Sequence, residues 1–168
     1  MPVSDQGARG DRYQLIPRTL IFLTTNQKVL LLKGAPTKRL WANRYNGVGG
    51  HIERGEDVLS AARRELYEET GLNPERLWLC GVIIVDTGEP LGIGIYVLRG
   101  ETSENVQSLI PSDEGELTWV PFDQAESLPL VEDLVIFLPR VLASQQGDPP
   151  FSALSYYDDQ DQLRVQFS

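Results

Sequence analysis

Several residue types that mark common functional classes are scarce in this sequence. It contains one cysteine, Cys80, and one histidine, His51. A single cysteine excludes an internal disulfide and a metal site built from several cysteines, and it fits a reducing, cytoplasmic setting. No apolar run approaches the ~20 residues that cross a membrane. Residues 1–12 also lack the apolar core of a secretory signal.

Basic residues are outnumbered by acidic ones. The chain has 15 Lys and Arg against 24 Asp and Glu, which gives a net charge of −9 at pH 7. Such a chain repels a phosphate backbone unless its basic residues cluster, and they form no long run here. We therefore expect neither a nucleic-acid polymer nor a membrane as partner. A small nucleotide remains open as a substrate, because a divalent cation could mediate its binding.

The 168 residues suit one domain covering residues 1–168. We expect a loose arm over residues 1–16 and a closing β-hairpin over residues 148–168. The apolar, β-branched runs predict strands at residues 18–25, 28–33, 77–86, 91–99, 116–120, 151–157 and 163–167, of which the first two form a hairpin. Helices are predicted at residues 57–70 and 131–143. This order, with mostly hairpin connections, predicts an α+β fold around a mixed sheet.

The helix at residues 57–70 carries a cluster of carboxylates. Glu65, Glu68 and Glu69 stand at i, i+3 and i+4, so they share one helical face. Three like charges repel one another there, and a hard divalent cation with oxygen ligands removes that cost. Mg²⁺ fits best, with Mn²⁺ as the alternative. Arg64 can orient a carboxylate or offset the acidic charge.

An acidic run on a solvated helix face is the alternative interpretation of this helix. Such a face would not require Gly50, Glu56 or Gly71 at their positions. Residues 50–72, Gly-His-Ile-Glu-Arg-Gly-Glu-Asp-Val-Leu-Ser-Ala-Ala-Arg-Arg-Glu-Leu-Tyr-Glu-Glu-Thr-Gly-Leu, match the box of the Nudix hydrolases at every defining position. The chain resembles that family over about residues 18–143. The resemblance implies an α/β/α sandwich with a mixed sheet, and attack of a metal-activated water on a diphosphate linkage.

The resemblance also implies roles for individual residues. Glu68 and Glu69 would be the principal metal ligands, and Glu65 would be a third ligand or assist as base. The carbonyl of Gly49 would complete the protein ligands. Glu114, in the loop before the strand at residues 116–120, is a further candidate for metal binding or base catalysis. Glu116 and a merely solvated loop acid are the alternatives at that place.

The segment before the box narrows the resemblance. Residues 45–50, Tyr-Asn-Gly-Val-Gly-Gly, are similar to the same segment in MutT-type enzymes that clear oxidised purine nucleoside triphosphates such as 8-oxo-dGTP. By that pattern Asn46 hydrogen-bonds the purine, and Glu132 and Asp133 read the base. A turn residue beside Gly47 and an acidic helix start are the respective alternatives.

The chain departs from that branch at two positions. Leu130 stands where the branch has a tryptophan that stacks on the base, and Glu132 replaces an aspartate. Leu130 therefore becomes the candidate that packs on the base. Lys33 is the candidate cation for the triphosphate, and the further candidates for a phosphate contact are Arg39, Arg44 and His51.

These observations predict an enzyme that cleaves a nucleoside triphosphate to a monophosphate and pyrophosphate. A Nudix hydrolase of dinucleoside polyphosphates, ADP-ribose or another sugar-linked diphosphate is the second hypothesis. A catalytically silent nucleotide-binding regulatory module is the third. Silent modules usually lose box carboxylates, whereas this chain keeps Glu56, Glu65, Glu68 and Glu69.

Overall fold

A computed structural model of the chain describes residues 3–7, 9–103 and 114–168. The strands in these residues are β1 (Gln14–Thr25), β2 (Lys28–Gly34), β3 (Tyr45–Asn46), β4 (Arg76–Val85), β5 (Leu91–Glu101), β6 (Gly115–Pro121), β7 (Phe151–Tyr157) and β8 (Leu163–Phe167). The helices are α1 (Val58–Thr70), α2 (Phe122–Ala125) and α3 (Leu134–Ala143), preceded by a 3₁₀ turn at Val3–Gln6.

The strands form one mixed sheet in the order β3-β2-β1-β5-β4-β7-β8, and β6 pairs with β2. β1 is parallel to β5 and β4 is parallel to β7, whereas the other pairings are antiparallel. This arrangement confirms the α+β class and the mixed sheet. β7 and β8 form the hairpin expected for residues 148–168.

The expectation of a loose arm over residues 1–16 is wrong at its C-terminal end. β1 begins at Gln14, which pairs with Leu91 of β5, and the parallel register continues to Thr24. Long-range pairing with β5 orders these residues, and local composition carries no signal of it. Residues 1, 2 and 8 of the arm lie outside the described residues.

The predicted hairpin of β1 and β2 is present only close to its turn. The two strands pair at Thr24 with Val29 and at Thr25 with Lys28, and then they separate. β2 goes on to pair with β3 and β6. Residues 45–51 fill the gap, since β1 forms isolated bridges with Val48 and His51. The segment before the box is therefore held inside the sheet.

Helices cover both faces of the sheet, as the α/β/α sandwich requires. Phe22 of β1 packs against Phe137 of α3, with ring centroids 6.3 Å apart. Ile21 and Leu23 point to the opposite face and share a core with Leu66 of α1. Alternate residues of one strand thus feed two separate cores. Among the described residues, no helix is long and apolar enough to span a membrane.

Candidate active site

Helix α1 is fixed at both ends by its own sequence. The Asp57 carboxylate caps the N-terminus by accepting hydrogen bonds from the backbone N–H groups of Leu59 and Ser60. Gly71 ends the helix with a left-handed φ of 73°, and its N–H donates to the Tyr67 carbonyl. The buried side of the helix is formed by Ala61, Ala62, Leu66 and Thr70. Packing of that side turns the carboxylate face away from the core.

Arg64 organises the acidic residues of the box. Its guanidinium makes two hydrogen bonds to Glu56, of 2.7 and 2.8 Å. It also donates to Glu65 at 2.8 Å and to Glu68 at 3.2 Å. The Arg64 side chain, together with the backbone N–H of Glu53, lowers the pKa of Glu56 to about 2. Glu56 is therefore an ionised anchor for Arg64, and Arg64 holds Glu65 and Glu68 in place.

Glu69 lies in the opposite electrostatic environment. Burial, followed by the charges of Glu65 and Glu114, raises its pKa to about 7. Within the part of the chain that the structure describes, its Oε2 is buried without a hydrogen-bond partner. A carboxylate oxygen without a donor is costly unless a proton or a cation accompanies it. The surroundings of Glu69 therefore suit a carboxylate that binds a cation.

Close packing brings Glu65 against the glycine turn. A Cβ placed on Gly50 would lie 2.5 Å from Glu65 Oε2, so a larger residue here would require the carboxylate to move. The carbonyl of Gly50 is already used, because it accepts a hydrogen bond from Thr19 N–H at 2.9 Å. Gly49 lines the same groove. The φ of Gly49 is 154°, and a Cβ added there would clash with the Thr19 carbonyl oxygen. Both features restrict this position to glycine.

Glu65 and Glu69 line an open groove of about 580 Å³, whereas Glu68 is not part of its lining. Glu114 also lines this groove and pairs with Lys38. The groove lining includes Lys38, Arg39, Gly49, Gly50, His51, Glu65, Glu69 and Glu114. Among the described residues, no three His, Cys, Asp or Glu side chains form a closed metal cluster. The mutual repulsion of the carboxylates and their attachment to Arg64 and Lys38 account for that open arrangement.

A second cavity of about 490 Å³ adjoins the acidic groove. Its walls come from the 41–50 segment, from β1, β4 and β5, from the start of α3 and from the closing hairpin. The residues that line both spaces are Arg18, Trp41, Arg44, Asn46, Gly47, Gly49 and Gly50. The two spaces are therefore continuous, with cationic, aromatic and amide side chains at their junction.

The geometry agrees with the comparison to known protein domains. The sequence profile of the NUDIX domain matches residues 15–141. The chain belongs to the Nudix hydrolase family. Enzymes of this family generally use divalent cations, which suits the acidic groove.

Individual relatives place this Nudix hydrolase near the MutT-type members. It is 30% identical to the oxidized purine nucleoside triphosphate hydrolase of Danio rerio over 129 residues, covering 76% of this chain and 80% of that protein. The Mus musculus protein of the same name is 28% identical over 146 residues, covering 86% and 88%. The MutT protein structure from Bacillus halodurans superposes with a TM-score of 0.76 at 23% identity, covering 92% and 98%.

In this Nudix hydrolase, three of the predicted substrate residues line the second cavity. Asn46 lies at the junction, where its Oδ1 accepts a hydrogen bond from the N–H of Gly47 at 2.8 Å. Glu132 and Asp133 lie together just before α3, and Glu132 accepts a hydrogen bond from the hydroxyl of Tyr157 at 3.3 Å. Burial raises the pKa of Asp133.

Two predicted substrate residues are placed elsewhere, and these placements correct the expectation. Lys33 lies next to Leu32 on β2, so it points away from the groove that Leu32 lines, and its ammonium packs 5.9 Å from the centroid of the Tyr45 ring. Leu130 is 2% exposed and belongs to the core beneath α3. Leu130 is therefore unavailable to pack on a base, and Lys33 is absent from both cavity linings.

Sequence reasoning missed other residues of the site. Arg18 and Trp41 line both spaces, and Lys38 faces Glu114. Trp41 is 49% exposed and adopts a left-handed φ of 60°, which is unusual for a bulky side chain. Its position in a loop without periodicity gave no signal. Ser112 and Asp113, which precede Glu114 in the loop singled out above, lie outside the described residues.

Proposed function

We propose that this Nudix hydrolase cleaves a purine nucleoside triphosphate, including oxidised forms such as 8-oxo-dGTP, to a monophosphate and pyrophosphate. The observation that carries the proposal is the continuity of the two spaces. A partly enclosed, largely apolar cavity of nucleoside size opens into a groove rich in carboxylates. A nucleoside in the cavity would direct its phosphates past the junction and into the groove. A cytoplasmic location belongs to the same proposal, because the single thiol, Cys80, is buried and unpaired.

We assign the groove to Mg²⁺, with Mn²⁺ as the alternative. Glu68, Glu69, Glu65 and the carbonyl of Gly49 would hold it, and Glu114 is the candidate ligand or base from the segment before β6. The buried, unpartnered oxygen of Glu69 supports this donor set. When bound, the cation neutralises phosphate charge and lowers the pKa of water. Arg64 donates to both Glu65 and Glu68; of these two, Glu65 lines the groove, and Glu68 would have to turn toward it.

The cavity offers contacts that suit a purine. Because the Oδ1 of Asn46 accepts from Gly47 N–H, its amide N–H groups remain to donate to a base edge. Asp133, with its raised pKa, can accept or donate at the opposite wall. Trp41 presents an exposed indole at the junction, where it can stack on the nucleoside in place of the residue that Leu130 does not supply. These three residues define the proposed base site.

A substrate panel with purified protein and Mg²⁺ tests the proposal. It compares 8-oxo-dGTP, 2-oxo-dATP, the ordinary dNTPs, diadenosine polyphosphates and ADP-ribose, with release of pyrophosphate measured directly. We expect the highest kcat/KM for a purine triphosphate. Turnover of sugar-linked diphosphates alone would refute the assignment.

Variants of the carboxylates test the metal assignment in the same assay. Glu68→Gln and Glu69→Gln remove one charge each and keep the side-chain shape. We expect each to lower Mg²⁺-dependent kcat by on the order of 100-fold or more while the circular dichroism spectrum is unchanged. Full activity in either variant would overturn the role of that residue.

A further inference from the structure

Arg18 lies on β1 at the junction between the cavity and the groove, and it lines both. Its Nε and Nη2 are 3.2 and 3.0 Å from Nε2 of His51. An isolated β-bridge between the same two residues fixes their backbones side by side. Because arginine can only donate, Nε2 of His51 is the acceptor in this contact. The guanidinium is thus held on a strand rather than on a loop.

The surroundings of the Arg18 charge differ from those of the Arg64 and Lys38 charges. Arg64 is paired with Glu56, Glu65 and Glu68, and Lys38 is paired with Glu114. Arg18 instead donates to a ring nitrogen of His51 and forms no ion pair with a carboxylate among the described residues, so this contact orients its positive charge without cancelling it. Two of its five N–H groups point to His51, which leaves those of Nη1 and one of Nη2 for another acceptor. That edge is the one that binds a phosphate through two parallel hydrogen bonds.

We propose that Arg18 binds the phosphate attached to the nucleoside, and that His51 positions Arg18 for this contact. The inference rests on the proposed function, because the nucleoside occupies the cavity and the terminal phosphates lie in the groove. Arg18 stands between them, so it contacts the phosphate that remains on the monophosphate product. The contact needs no metal ion, and this separates it from the carboxylate groove.

Binding of product and nucleoside in EDTA tests the role of Arg18. Calorimetry compares dGMP with deoxyguanosine on the wild type, Arg18→Gln, Arg18→Lys and the control Lys28→Gln, which removes an exposed charge where β2 begins. We expect Arg18→Gln to weaken the binding of dGMP by roughly 10-fold to 100-fold and to leave the binding of deoxyguanosine unchanged. Arg18→Lys is expected to be intermediate. Unchanged dGMP binding, or an equal loss for both ligands, would overturn the proposal.

The positioning role of His51 is tested through the substrate that the wild type turns over best. His51→Ala removes the acceptor, and we expect KM to rise about 3-fold to 10-fold with kcat unchanged. His51→Gln restores an acceptor oxygen and should recover most of the loss. A fall in kcat, or no rescue by glutamine, would contradict the positioning role.

The two proposals fail in different ways. If the wild type binds AMP and turns over ADP-ribose but not purine triphosphates, the proposed function is wrong. The comparison of Arg18→Gln with the wild type on AMP and adenosine then still decides whether Arg18 binds the phosphate.

Discussion

Two glutamates of the box show how strongly the local surroundings change the pKa of the same type of side chain. The pKa of Glu56 is lowered to about 2 by Arg64, whereas that of Glu69 is raised to about 7 by burial and by Glu65. The first carboxylate is permanently ionised and holds the arginine. The second is only partly ionised near neutral pH. The sequence shows both as glutamates, and their neighbours divide the roles.

The raised pKa of Glu69 predicts a pH-dependent loss of stability in the metal-free protein. The carboxyl is protonated in both states below its usual pKa of 4.5, and the folded state resists its ionisation until about pH 7. Stability from this group is therefore present below pH 4.5 and is lost as the pH rises through 7. In EDTA at pH 8, Glu69→Gln should raise Tm by about 3 °C or more, because no charge is buried.

The same melts contain their own control. Near pH 4 the wild type and Glu69→Gln should melt together, since residue 69 is then uncharged in both. Added Mg²⁺ should stabilise the wild type at pH 8 and leave the variant almost unchanged. A lower Tm for the variant at pH 8 in EDTA would contradict the buried charge.

Gly50 predicts a steric test of the position of Glu65. In Gly50→Ala the new Cβ would meet the Glu65 carboxylate at 2.5 Å, and the flexible side chain would have to move. We expect Mg²⁺-dependent kcat to fall by about 10-fold or more with little change in Tm. Gly94→Ala is the matched control, because its Cβ would make an ordinary 3.5 Å contact with Leu15. Full activity of Gly50→Ala would show that Mg²⁺-dependent activity does not require the Glu65 carboxylate to lie against residue 50.

Residue spacing predicted the acidic face but not the cations around it. Glu65, Glu68 and Glu69 share one face because helical spacing is a local property. Lys33 was misplaced because a strand alternates its faces, and the face of β2 is decided by its pairing with β3 and β6. Arg18 is brought to the site by its bridge to His51, 33 positions away in the sequence. Such contacts have no local signature.

At the scale of elements, helix α1 acts as the support for the carboxylates. Asp57 caps its first turn through two backbone N–H groups and also accepts from the Ser60 hydroxyl at 2.7 Å. Asp57→Ala removes these contacts, and we expect Tm to fall by about 2–4 °C. Asp57→Asn keeps a capping oxygen, so its Tm should fall by less. Thermal melts in EDTA measure both, and equal Tm values for alanine and wild type would contradict the cap.

The strand pair β1 and β2 shows which part of an element the sequence can predict. The turn and the first pairs, Thr24 with Val29 and Thr25 with Lys28, agree with the expected hairpin. Beyond them the strands separate, because residues 45–51 fill the gap and β6 pairs with β2. This insertion places the glycines beside Thr19 and opens the junction between the two spaces. Only long-range pairing determines it.

At the scale of the whole molecule, nucleoside binding and metal binding are assigned to different parts of the structure. The groove takes Glu65 and Glu69 from α1 and Glu114 from the segment before β6, whereas the cavity takes Asp133 from the start of α3 and further residues from the closing hairpin. Trp41 lies at the junction on a loop that packs closely against Gly34. A Cβ added at Gly34 would lie 2.5 Å from the Trp41 carbonyl oxygen. A change in one space should therefore leave the function of the other intact.

This separation predicts opposite phenotypes for Trp41→Ala and Glu69→Gln. In Trp41→Ala, the loss of a stacked aromatic ring should raise the KM for the triphosphate and weaken the binding of dGMP by roughly 10-fold. Mg²⁺ should still raise the Tm of this variant. Glu69→Gln should bind dGMP in EDTA like the wild type and fail in turnover. Trp41→Phe keeps a ring at the same strained φ and should stay close to the wild type. Calorimetry and Mg²⁺-dependent melts measure both properties. If Glu69→Gln lost dGMP binding, or Trp41→Ala lost the Mg²⁺ response, the cavity and the groove would have to be treated as one site.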